Sequence, residues 1–387
     1  MTTLWRRAAP LAIAAAMLAG CAVQREAVEP ARLLAYVGSD GAQLHVLSLE
    51  ADGRLAAPRV VAEVPKSRWL IANPAKAVLY VAIDGGAQEG SVAAFAMDRG
   101  SGALQALNAV PAGGSGTTFL SQDAASATLL AANFGSGTAS SIAVKPDGSL
   151  DAKASTVQDA GSGPHRRQAS PHAHAVTLDP SGHYALVSDM GADRVFVYGF
   201  DRARHQLVND DAAAARAFAT PPGSGPRRAM FGASGRVVYV LNELSAELMT
   251  LAWDGGTGRL TPLHTQAISS DGFTGAKSAA EIAQSRDGHF IYVADRGEGR
   301  LVVYRADPTS GRLSFEQRIP SGGDGPWAFD IDPSGHWLLV ANYRSNKLNL
   351  FSIDPVTGRL SDTGQSVASP GPVSVAFVRA SRRQQDQ

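Results

Sequence analysis

Cysteine is almost missing from this chain: Cys21 is the only one in 387 residues, so no disulfide can form within it. Strong charge of either sign is missing too. Lys and Arg number 35 and Asp and Glu 35, a formal net charge of zero, whereas a nucleic-acid partner would demand a basic footprint. The basic triplet His165-Arg166-Arg167 reads instead as a solvated loop. Charged residues make up 18% and hydrophobic ones 44%, a globular balance rather than a disordered one. The N-terminal apolar stretch, Ala8 to Leu18, is too short to span a bilayer as a helix. Neither Gly-x-Ser-x-Gly nor a P-loop occurs, which removes the usual support for a serine hydrolase or a nucleotide-binding protein. His172 and His174 stand two apart, but a zinc site needs a third ligand at recognisable spacing and none is found. The Asp-containing turns at Asp179 and Asp332 lack the ligand density of a calcium loop. The chemistry expected therefore uses no metal and no cofactor.

What is abundant is punctuation. There are 40 Gly and 21 Pro, spread along the chain at turn positions, a pattern of many short strands. The stretch Pro171 to Tyr198 shows the unit: an alternating strand, an Asp-Pro-Ser-Gly turn, a buried run, a second turn and a third strand. Its buried run recurs seven times, beginning at Leu34, Leu79, Leu129, Ala185, Val238, Ile291 and Leu338. Gly-Arg-Leu at 258, 311 and 358 begins an outer strand. A repeat of about fifty residues suits a four-stranded propeller blade, which cannot cover both of its faces alone and must stack in a closed ring. One short helical turn is expected within Asp211 to Phe218.

The two ends complete each other. Pro372 to Phe377 resembles the strand that precedes each buried run yet has no run after it, while Leu34 to Gly38 is a run without that predecessor. The fold class is thus all-β, a seven-bladed propeller with the N- and C-terminal strands closing one blade. Its innermost strands would line a channel, and a small-molecule site is most plausible at its mouth. His174, Gly225-Pro226-Arg227-Arg228, Asn242-Glu243 and Asp295-Arg296 fall at such positions, and Glu243 would pair with Arg227 or Arg296. Two readings stand at this point: ion pairs that merely fill a wet channel, or a binding site.

The motifs PHAH (171–174), GPRR (225–228), YVLNE (239–243), AEI (280–282), YVADRG (292–297) and IDPSGHWLLVANY (331–343) together resemble the seven-bladed lactonase family. That family includes bacterial propeller-type 6-phosphogluconolactonases and the fungal carboxy-cis,cis-muconate cyclase. The resemblance implies a catalytic set of His174, Arg227, Glu243 and Arg296, with His172, Arg228 and Trp327 as substrate-binding residues. Glu243, or His174 if its pKa is near neutral, would act as general base, and the two arginines would hold the carbonyl oxygen. The family often has His, Asn and Arg where this chain has Arg228, Asp295 and Trp327. An indole in place of a cation weakens an anion contact and favours stacking on a sugar face.

The leader has its own chemistry. Arg6 and Arg7 precede the apolar stretch, and Leu18-Ala19-Gly20-Cys21 resembles the lipobox of bacterial lipoproteins, implying cleavage before Cys21 and lipid attachment to it. An ordinary secretory signal ending near Ala22 is the alternative. Removing Arg6 and Arg7 leaves 33 Lys and Arg against 35 Asp and Glu. The expected organisation is a signal peptide over 1–20, a lipidated tether over 21–32, a propeller over 33–380 and a polar tail over 381–387. The expected protein is a monomer facing the periplasm, held to the outer membrane rather than the inner, and hydrolysing a sugar-type or other small lactone. A non-catalytic propeller that binds a protein or glycan, or an isomerase of muconate-like acids, would be built from the same parts.

Overall fold

A computed structural model describes residue 2 and residues 32–381. The leader apart from residue 2, the Cys21 lipidation position, almost all of the tether and residues 382–387 lie outside the described residues. The described residues from 32 onward form seven antiparallel sheets, and a further two-residue strand, Phe218–Ala219, joins one of them. The innermost strand of blade 1 is Ser67–Asn73, of blade 2 Thr117–Asp123 and of blade 3 Ala173–Leu178. Blades 4, 5 and 6 begin with Pro226–Phe231, Ala279–Gln284 and Pro326–Ile331. Blade 7 begins with the C-terminal strand Pro372–Arg379, which pairs antiparallel with the N-terminal Leu33–Ser39. Each innermost strand packs beside the next, and that of blade 7 touches both blade 1 and blade 6, so the ring is closed.

The buried runs are the second strands, and they read as continuous apolar stretches because both their faces are covered. Val238 and Val240 point into a core shared with blade 3, while Tyr239 and Leu241 point into one shared with blade 5. Side chains alternate with period two, so one strand feeds two cores. The same division repeats around the ring, and among the described residues the hydrophobic interior forms seven inter-blade cores.

A second repeat ties the blades at their outer edge. Tyr36, Tyr80, Tyr239 and Tyr292 each donate their hydroxyl to a glycine carbonyl of the following blade, at Gly102, Gly148, Gly311 and Gly358, over 3.0–3.2 Å. Those glycines close hairpins at positive φ, where a side chain would be strained. The expected helical turn is present as Ala213–Arg216.

Candidate active site

Three kinds of element deliver the site. His174, Arg227 and Arg228 come from innermost strands of blades 3 and 4. Glu243 and Arg296 directly follow the second strands Val237–Asn242 and Phe290–Asp295, where the chain turns at the mouth of the channel. Arg167 comes from the segment between Leu150–Gln158 and Ala173–Leu178.

Glu243 is the centre. Its side chain is 1% exposed and its two oxygens meet three guanidiniums: Arg227 Nη1 at 2.6 Å on Oε2, and Arg296 Nη2 at 2.9 Å and Arg167 Nη1 at 2.6 Å on Oε1. The expected pairing with Arg227 or Arg296 is met by both. Burial alone would raise the Glu243 pKa, but Arg227, Arg296 and the other facing cations outweigh it and hold the carboxyl far below its usual range. The solvated-loop reading of 165–167 holds for the loop and for exposed Arg166 but is corrected for the Arg167 guanidinium. Arg167 reaches 76 positions along the chain to Glu243, a pairing that no local charge pattern announces.

His174 Nε2 lies 3.9 Å from Glu243 Oε2, with Arg227 Nη1 hydrogen-bonded to both. A guanidinium only donates and each ring nitrogen faces one; the shorter contact, from Arg227 Nη1, assigns Nε2 as the acceptor and leaves the proton of the neutral imidazole to Nδ1. Arg228 Nη1, 3.2 Å from Nδ1, donates to the His174 carbonyl at the same distance. Burial first, then Arg227 and Arg228, press the His174 pKa well below that of a free histidine, against the raising effect of Glu243. The ring is thus neutral at physiological pH.

The remaining expected contacts divide. Arg228 lines the cavity but is matched by Glu281, through paired contacts of 3.2 Å, and its guanidinium lies 4.6 and 4.3 Å from the ring centroids of Trp69 and Phe119. Trp327 also lines the cavity and supports Arg296, whose guanidinium lies 4.5 Å from the indole centroid. Arg296 Nη1 is buried without a hydrogen-bond partner among the described residues. His172 is different. Pairing shifts register between Ala173 and Ala175, and His172 stacks on Phe134 at 4.4 Å outside the cavity lining, while the Phe134 edge meets His174. The assumption of an extended strand through both histidines fails at this irregularity.

The cavity has a volume of about 340 Å³. Its opposite wall carries Arg68, paired with Asp84 at 3.1 Å and Asp40 at 2.8 Å. Among the described residues no group of three or more His, Cys, Asp or Glu side chains is disposed to hold a metal ion.

A closed seven-bladed ring with a guanidinium-lined cavity at its mouth defines a class, and residues 33–377 match the family described as "Lactonase, 7-bladed beta-propeller". The chain belongs to that family, and its class is lactone hydrolase. It is 31% identical to the 6-phosphogluconolactonase of Bacillus subtilis over 308 residues, covering 78% of this chain and 86% of that protein. The solved periplasmic gluconolactonase PpgL of Pseudomonas aeruginosa is 33% identical and superposes with a TM-score of 0.84, covering 90% of this chain and 100% of that one. A solved protein from Lactobacillus plantarum follows at 30% identity and a TM-score of 0.81, covering 90% and 99%.

Proposed function

We propose that this protein hydrolyses a sugar-type lactone outside the cytoplasm, with His174 as the proton carrier and Arg227 and Arg296 as the stabilisers of the carbonyl oxygen. The observation that carries this reading is Arg227 Nη1 bridging Glu243 Oε2 and His174 Nε2 beside the unpartnered Arg296 Nη1. In the free enzyme the His174 lone pair is occupied by Arg227. As water attacks the lactone carbonyl, negative charge grows on the carbonyl oxygen and draws Arg227 and Arg296 toward it. Nε2 is then free to take the proton from the attacking water, and the imidazolium so formed is stabilised by the Glu243 carboxylate. The ring carbon–oxygen bond breaks, the imidazolium returns that proton to the departing ring oxygen, and the product acid ionises.

Glu243 is the weaker candidate for the base. Three of its lone-pair positions are taken by guanidiniums, and a carboxyl held so far below its usual range accepts a proton poorly. His174 is depressed as well, first by burial, but the Arg227 charge that adds to the depression is one the oxyanion neutralises. Its basicity therefore rises along the reaction coordinate, where it contributes to rate. The leader and the similarity to a periplasmic gluconolactonase support a sugar-type lactone and an envelope location, and Trp327 in place of a cation supports stacking on a sugar face. Cys21 followed by Ala22 supports a lipid anchor in the outer membrane.

The test is proton release from glucono-lactone by the purified mature protein beside His174→Ala. We expect hydrolysis above the spontaneous rate and a fall of roughly a hundredfold or more in the variant, the scale of a lost acid-base group. Equal rates in both proteins would overturn the role of His174, and no hydrolysis of any lactone would favour a binding propeller.

A further inference from the structure

Around Glu243 the charges do not balance. Three guanidiniums face one carboxylate, an excess of two positive charges, whereas Arg68 faces two carboxylates, Asp40 and Asp84, and Arg228 is matched by Glu281. Opening a neutral lactone generates one negative charge at the carbonyl oxygen, so one guanidinium is surplus to the reaction. The structure shows which. Arg227 and Arg296 are 3% and 8% exposed, and are also tied to the Ala280 carbonyl and the Ser278 hydroxyl. The Arg167 side chain is 42% exposed, and Glu243 is its guanidinium's hydrogen-bond partner among the described residues.

The backbone beneath Arg167 is anchored. Neighbouring Gln168 is fully buried, its Nε2 donating to the Met190 carbonyl at 2.8 Å and to Asp193 Oδ1 at 2.6 Å while its Oε1 accepts from the His165 amide at 3.0 Å. Any movement therefore belongs to the long side chain rather than to the loop. Leaving Glu243 demands little of a guanidinium already half in water, and Glu243 keeps two buried partners when it goes.

We infer that Arg167 is a specificity-determining residue, releasing Glu243 to pair with an anionic substituent, carboxylate or phosphate, on the lactone. This rests on the lactonase reading above. A guanidinium fork matches either oxyanion in two-point fashion.

The experiment compares glucono-1,4-lactone with glucaro-1,4-lactone, which differ in a terminal hydroxymethyl against a carboxylate, and adds 6-phosphogluconolactone as a third arm. It uses the mature wild-type protein, Arg167→Gln and Arg167→Lys. The acidic-to-neutral ratio of kcat/KM should fall about tenfold or more in Arg167→Gln, mainly through KM, and recover in part in Arg167→Lys. A fall confined to one acidic lactone identifies the anion as carboxylate or phosphate. An unchanged ratio, or no wild-type preference, overturns the inference. Equilibrium binding of gluconate, glucarate and 6-phosphogluconate, read by tryptophan fluorescence, decides without turnover. Weaker binding of glucarate, 6-phosphogluconate or both in Arg167→Gln, with gluconate unchanged, supports the inference even if hydrolysis fails, in which case only the lactonase reading falls. Equal binding by both proteins overturns it.

Discussion

Glu243 holds its charge where a lone carboxylate would be untenable, and the arginines around it need it as much as it needs them. Removing one member of a buried charge cluster leaves the others uncompensated, which costs on the order of 3–5 kcal/mol. Glu243→Gln should therefore lower the unfolding midpoint as well as the rate, which thermal unfolding at neutral pH will read. The sign of its pH dependence follows from a depressed pKa. Its stabilisation is present above the ordinary carboxylate range and is lost only as pH falls through the much lower folded value, so mild acid will not release it. His174 is also depressed, so the acid limb of kcat/KM should lie below the pH at which a free histidine titrates. Replacing Arg228 and Glu281 together by Gln removes a matched pair and one of the charges lowering His174. That limb should then move toward higher pH, and a pH–rate profile of the double variant checks it.

Strands and hairpins are joined by contacts of a different kind. The tyrosine-to-glycine bonds fasten the second strand of one blade to the outer hairpin of the next, and Tyr292 to Gly358 is one of four. Tyr292→Phe keeps the packing and orphans a buried carbonyl, so denaturant unfolding should show a loss of about 1–3 kcal/mol. Asp159 Oδ1 accepts the Tyr198 hydroxyl at 2.6 Å and Asp189 Oδ1 takes the amides of His172 and Ala192, while the second oxygen of each carboxyl is buried without a partner among the described residues. Burial, then the neighbouring carboxyl, raises the Asp159 pKa well above its usual value, and burial raises that of Asp189. Raised values mean stability present at low pH and lost as pH rises through them. Asp159→Asn removes the charge that burial and Asp189 disfavour. Its unfolding midpoint should gain on wild type at alkaline pH and not in acid.

At the scale of the whole molecule, stability resides in seven cores that each need two blades. Blade 7 is assembled from both ends of the described chain, so its integrity decides whether the ring stays shut. Ending the chain at Ser369 removes the innermost strand Pro372–Arg379, uncovers Ala35 and Tyr36, and leaves the Leu33–Ser39 strand without its inner partner. Such a protein should lose cooperative unfolding and bind a hydrophobic dye, whereas an intact ring unfolds in one sharp transition.

The blades were legible in the sequence because their causes are local. Two-residue alternation, Gly and Asp turns and a fifty-residue repeat act within a single unit, and the unmatched strands at the ends implied closure. The positions of His174, Arg227, Glu243 and Arg296 at the channel mouth followed from that register. Arg167 did not, since its partner lies 76 residues away and its own segment has no periodicity to orient it. Nor did the register shift that turns His172 onto Phe134, or the aromatic pair that flanks Arg228. Residue order determines which strands form and in what sequence they stack. Only the closed ring decides which charges meet, because it brings the loops of different blades to one mouth and withholds the water that would otherwise keep them apart.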